Sequence, residues 1–185
     1  MDFTAHRVLL LISLLSILSG CSRYVPEPKK AFNIAELAVR KENGVIILDG
    51  EPFSGRLYAL SNRDTIFIRE YSEGLEDGLH KLWFPNKQIA EIRYYRKGKK
   101  TGLHTGFWDN GQKKYQYTFS EDLYEDMQYE WYSTGQAFSK KEYKQGHENG
   151  LQQVWSLDGK IKSNYEAKNG RNYGNIGKKN CLSEI

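Results

Sequence analysis

The chain has 185 residues, enough for one modest domain or a short array of repeats. Apolar residues make up only 39%, with 13 Tyr and 4 Trp prominent among them, so an aliphatic sandwich core is not expected. The net charge of +4 comes from Lys and Arg interleaved with Asp and Glu. That pattern describes a solvated surface and lacks the basic stripe of a nucleic-acid binder.

The N-terminus has the form of an export signal. Arg7 supplies the positive charge, and Val8 to Leu18 form a short apolar run. It falls short of the roughly 20 apolar residues that span a bilayer, so a signal helix over residues 1–20 is expected, not a membrane span. Leu18-Ser19-Gly20-Cys21 follows: an aliphatic residue, two small ones and a cysteine. This resembles a bacterial lipobox. The resemblance implies cleavage before Cys21 and a diacylglycerol thioether on its sulfur. Acyl chains contribute about 0.8 kcal/mol per buried methylene, enough in combination for a lasting anchor. Ser22, in place of an acidic residue, favours the outer membrane of a bacterial envelope over the inner one. With Cys21 lipidated, Cys181 is a lone thiol without an intramolecular partner.

Residues 21–44 are assigned to the lipid anchor and a tether, with Pro26 and Pro28 keeping its first part extended. Within it, Phe32, Ile34, Leu37 and Val39 suggest a short helix over Ala31 to Arg40. Asn43-Gly44 is a turn, Val45 to Leu48 a strand, and Asp49-Gly50 the next turn.

From residue 45 to residue 178 the chain repeats itself every 24 residues. One glycine column runs Gly50, Gly74, Gly98, Asp122, Gly146, Gly170, and a second runs Gly78, Gly102, Asp126, Gly150, Gly174. An aromatic column holds Trp83, Phe107, Trp131 and Trp155; another holds Tyr71, Tyr95, Phe119 and Tyr143. Gly111, Gly135 and Gly159 share a turn column with Lys87. Each unit reads as two short strands, as in Leu103 to Trp108 and Lys113 to Phe119, joined at Asp109-Asn110-Gly111-Gln112. Asn-Gly there suggests a type I′ turn, and the Gly98 to Gly102 segment links one hairpin to the next. The expected fold is all-β: an elongated antiparallel sheet of stacked hairpins held by aromatic ladders, with residues 179–185 as a tail. Whether the ladders share a face depends on register and stays open.

With these columns in place, the chain resembles the bacterial variant of MORN repeats. Gly102-Leu103, Phe107-Trp108, Asn110-Gly111-Gln112 and Tyr143-Lys144-Gln145-Gly146 carry the resemblance, as does Gly50-Glu51-Pro52-Phe53-Ser54-Gly55 at the opening. It implies a β-hairpin array used for contacts with proteins or membranes and, for many bacterial members, an antitoxin role. Asp122 and Asp126 depart from the pattern, and Asp tolerates the left-handed backbone the glycines otherwise supply.

No residue set forms catalytic machinery, and neither a cofactor nor a metal is expected. Gly98-Lys99-Lys100-Thr101 has Arg93 and Lys100 where a phosphate loop needs Gly and Ser or Thr. His80 and His104 share a column and are expected at the surface, as is His147. Glu121, Asp122, Glu125 and Asp126 lack the ligand spacing of a calcium loop. The candidate binding residues are Trp83, Trp108, Trp131, Tyr132 and Trp155, rows of rings suited to a protein partner or to stacking on a glycan. The chain is therefore expected to be a non-catalytic envelope lipoprotein with a protein-binding or scaffolding surface. Antitoxin-type immunity and peptidoglycan binding are the alternatives.

Overall fold

A computed structural model describes residues 29–177. The signal helix, Cys21 and Cys181 fall outside the described residues.

One 14-stranded sheet dominates. It starts with β1 (Ala31–Asn33), which pairs in parallel with β5 (Gly55–Ser61). Between them, β2 (Arg40–Glu42), β3 (Val45–Leu48) and β4 (Glu51–Pro52) form a separate small sheet. From β5 onward every pairing is antiparallel: β6 (Asp64–Ser72), β7 (Leu75–Trp83) and β8 (Ile89–Arg96), which carries the two-residue β9 (Lys99–Lys100). β10 (Gly102–Phe107) follows, then β11 (Lys113–Ser120) with its short partner β12 (Leu123–Tyr124), and β13 (Asp126–Trp131). β14 (Ala137–Lys144), β15 (His147–Trp155), β16 (Ile161–Lys168) and β17 (Arg171–Asn175) complete the sheet. Beyond β5 sequence neighbours are spatial neighbours throughout, as expected for stacked hairpins.

The helix expected over Ala31 to Arg40 is absent. That segment is β1, a single 3-10 turn (Ile34–Glu36) capped by Asn33 Oδ1, and the start of β2. Its apolar residues follow spacings of two and three because each reaches the same cluster. Phe32, Ile34, Leu37 and Val39 pack, with Ile46 and Leu48, on buried Phe53, Leu57 and Tyr71. Among the described residues this is the one aliphatic-rich core, and it caps the N-terminal end of the sheet. Gly74 is needed for the closure: a Cβ there would sit 2.2 Å from Val45 Cγ1, while its N–H donates to Phe53 O and its carbonyl accepts from Ile46 N–H, both at 2.8 Å.

The turn chemistry differs from the sequence expectation at Asn110-Gly111. At Asn110-Gly111 only the glycine has positive φ (84°), so this is not a type I′ turn. The loop closes through Gly111 N–H to Trp108 O and Trp108 N–H to Gln112 O, and needs one left-handed residue. Lys87, at φ 69°, takes that place in the earlier copy. Two-residue reversals with paired positive φ recur in the linkers, at Lys97-Gly98 (49° and 80°), Glu121-Asp122 (50° and 70°) and Gln145-Gly146 (50° and 80°), and in the turn slot at Asn62-Arg63 (50° and 70°). Asp122 and Asp126 (60°) do adopt the left-handed backbone their glycine counterparts use.

The register settles which side each ladder faces. Gly78 pairs with Tyr95 and His80 with Arg93, so Tyr95 lies on the His80 side of the sheet. Trp83, three residues past His80 in the same strand, points to the other side. The Trp column and the Tyr/Phe column therefore occupy opposite faces.

Candidate binding surfaces of the sheet

On the Tyr/Phe face the rings form a continuous spine. Centroids run from Phe53 to Tyr71 at 6.0 Å, Tyr71 to His80 at 5.8 Å and His80 to Tyr95 at 4.6 Å. They continue from Tyr95 to His104 at 5.6 Å, His104 to Phe119 at 4.7 Å and Phe119 to Tyr124 at 4.8 Å. Tyr143 ends the row, 5.2 Å from Tyr124. His80 and His104 are interior members, 7% and 3% exposed, which corrects their assignment to the surface.

Their column continues as Gln128 and Gln152, both also buried. Each of these side chains binds the backbone of the residue ten positions earlier. His80 Nε2 lies 3.1 Å from Glu70 O, and Gln152 Nε2 donates to Glu142 O at 2.6 Å. Gln128 accepts from Thr118 N–H through Oε1 at 2.9 Å and donates to Thr118 O at 3.1 Å. The ladder breaks at these positions: pairing jumps from Arg69↔His80 to Tyr71↔Glu76, and from Lys141↔Gln152 to Tyr143↔Glu148. The column side chain supplies the hydrogen bonds that the skipped backbone groups lack. Sequence reasoning missed this column, although its signal was present. Residues 80, 104, 128 and 152 stand in phase and carry only side chains that combine a donor with an acceptor.

Beside the spine runs a shallow groove with a recess of about 240 Å³ lined by Arg93, His104, Tyr115, Tyr117, Phe119 and Tyr124 among others. Its polar groups are satisfied internally. Tyr115 Oη donates to Glu91 at 3.0 Å, Tyr117 Oη to Glu130, and Ser139 Oγ to Glu130 at 2.6 Å. Burial, reinforced by the Glu130 carboxylate, pushes the Tyr117 phenol well above its usual range. Burial works against the Arg93 charge, yet bonds to Tyr95 and Glu91 hold its pKa above the ordinary value. Burial pushes both His80 and His104 below the usual histidine value, against the effect of their carbonyl bonds.

The five candidate aromatics belong to the opposite side and to the turn edge next to it, and all five are half-buried. Trp108 Nε1 donates to Trp131 O at 3.0 Å, and Tyr132 Oη donates to Trp155 O at 2.9 Å. Each turn aromatic thus clasps the first-strand aromatic of the following repeat. Asn86 Nδ2 and Asn110 Nδ2 repeat the linkage, bonding Asp109 O and Ser133 O at 2.8 Å each. Four of the five candidates are thereby joined in one row along the turn edge. Trp83 stands further along the sheet and lines a cavity of about 360 Å³ with Phe84, Pro85 and Ile66. Lys113 and Lys114 lie over the rings of Trp131 and Trp108, at 5.7 and 4.5 Å. Tyr129 stacks beside Trp131 at 5.8 Å.

The chain matches no protein-family model and gives no significant match to a curated protein.

The acidic run is spent on local contacts. Glu121 pairs with Lys99 at 2.8 Å, Asp122 accepts from Lys100 N–H and Glu125 from Gln145 N–H. Among the described residues no group of three or more His, Cys, Asp or Glu could hold a metal. No helix among them is long and apolar enough to cross a membrane.

Proposed function

We propose that the sheet is a docking platform for a protein partner, presented at the bacterial cell envelope by a lipid on Cys21. The observation that carries this reading is the turn-edge row of Trp108, Trp131, Tyr132 and Trp155, with Trp83 further along. The Trp108 and Tyr132 rings are held in place by hydrogen bonds to the backbone carbonyls of Trp131 and Trp155, and none of the five rings is fully buried. Aromatic side chains fixed before binding lose little entropy on association and dominate the energetics of protein interfaces. The small sheet β2 to β4 packs only on the N-terminal end, around Phe53, Leu57 and Tyr71, and each ring of the row keeps part of its surface open to a partner. The lipobox-like Leu18-Ser19-Gly20-Cys21 and the resemblance to MORN-type repeats support the same reading.

The test is mild crosslinking in cell envelopes, followed by purification of the tagged chain. A defined partner recovered with the wild-type chain, and lost from a Trp83→Ala/Trp131→Ala variant with unchanged sheet content, is the expected result. Equal recovery from both chains would overturn the assignment of the row. A glycan reading draws on the same rings, since successive copies present them at regular intervals. Co-sedimentation with cell-wall sacculi tests it separately.

A further inference from the structure

The two ends of the large sheet are finished differently. At the N-terminal end the segment from β1 to β4 folds over β5 and β6 around Phe53, Leu57 and Tyr71. At the other end no described strand pairs with the outer side of β17: all its residues are exposed, and Tyr173 keeps 56% of its surface. An open strand of this kind is a template for another strand.

The pairing with β16 shows which groups are free. The Asn169-Gly170 reversal closes between Lys168 and Arg171, and pairing then runs without a skip to Asn164↔Asn175. Residues 171, 173 and 175 therefore turn their N–H and C=O toward β16, while Asn172 and Gly174 turn theirs outward. Past β17 the chain stays alongside β16. A Cβ on Gly177 would sit 3.1 Å from Lys162 O, so the chain up to Gly177 continues along β16, away from the 169–170 turn.

We propose that β17 is a self-association edge: two copies of this chain join through antiparallel β17 strands, with the twofold axis at Tyr173. In that register Asn172 meets the second copy's Gly174 and Gly174 meets its Asn172. All the outward groups of both strands are then paired. Centring on Asn172 or Gly174 engages only half of them within the strand, and a slip of one residue sets outward groups against inward ones. Tyr173 faces its own copy at the close, non-hydrogen-bonded position, where aromatic pairs are favourable. Arg171 lies opposite the second copy's Asn175, so no like charges meet. The joined sheet carries its capped N-terminal ends outermost and presents the aromatic row twice to a partner.

The test uses the full chain in detergent. The wild-type chain should sediment as a dimer. Asn172→Pro removes one outward N–H while leaving the bonds to β16, and should give a monomer with an unchanged far-UV spectrum. In a Cys181→Ser background, Tyr173→Cys should form an intermolecular disulfide on mild oxidation. Arg171→Cys should stay at the level of Cys181→Ser alone, because its copy lies roughly 13 Å further along the strand, beyond disulfide reach. A monomeric wild-type chain, a dimer indifferent to Asn172→Pro, or equal linking through residues 171 and 173 would overturn the proposal.

Discussion

His104 Nε2 lies 2.7 Å from the carbonyl oxygen of Tyr94, ten residues earlier in the chain and one strand away. The contact fills a gap in the ladder between β8 and β10, where pairing covers only Ile92↔Thr105 and Glu91↔Gly106. The same device recurs as Glu70 with His80, Thr118 with Gln128 and Glu142 with Gln152. The last hairpin shows what happens without it. Ile176 stands in the column there, with no donor to offer, and β16 pairs with β17 without a skip.

Gln128 is the cleanest place to test the device, since its amide both accepts from and donates to Thr118. Gln128→Leu orphans both backbone groups and should destabilise the fold by about 1–3 kcal/mol. Gln128→His, which copies the neighbouring repeat, should cost clearly less. Urea unfolding of the three chains measures both; equal midpoints for Leu and Gln would refute the bonding role.

The buried imidazoles make stability depend on pH. Their folded pKa values lie below the ordinary value of about 6.5, so near neutrality both rings are uncharged and fold without penalty. As pH falls below about 6.5 the unfolded chain takes up protons more readily than the fold, and stability drops until the folded pKa is passed. His80 faces Glu76 at 3.7 Å, with Glu70 and Arg69 near it, whereas His104 faces the cations Arg93 and Lys100. His104→Gln should therefore flatten the fall in melting temperature between pH 7 and pH 5 more than His80→Gln. Parallel curves for wild type and His104→Gln would contradict this.

Gly106 makes room for the Tyr115 ring. A Cβ at Gly106 would lie 2.1 Å from Tyr115 Cε1, and that ring stacks on Tyr117 at 4.5 Å. Gly106→Ala is expected to cost about 1–3 kcal/mol through displaced packing. Pairing it with Tyr115→Ala should recover part of the loss, a coupling that a double-mutant cycle reads directly.

The turn column predicts opposite effects at equivalent sites. Gly111, at φ 84°, should resist Ala at a cost of about 1 kcal/mol. Lys87, at φ 69°, already bears that strain, and its ion pair with Asp64 is exposed. Lys87→Gly should therefore be neutral or mildly stabilising in thermal unfolding, and a loss as large as that of Gly111→Ala would contradict the reading.

Much of this protein was legible in its sequence because a repeat is a local property. In-phase glycines, aromatics and Asn-x-Gln turns at a constant 24-residue spacing prescribe hairpins, and hairpins too weak alone must stack into a sheet. Register, by contrast, is a relation between strands. The side of the sheet that Trp83 faces relative to Tyr95, the bonding of His104 to Tyr94 and the left-handed residue at each turn all follow from which backbone groups meet across the ladder. Spacing along the chain does not specify those meetings, since a shift of one residue reverses every side chain. The segment Ala31 to Arg40 departs from the helix its spacing suggests for the same reason. Its apolar residues answer to Phe53, Leu57 and Tyr71, partners that only the tertiary fold brings beside them.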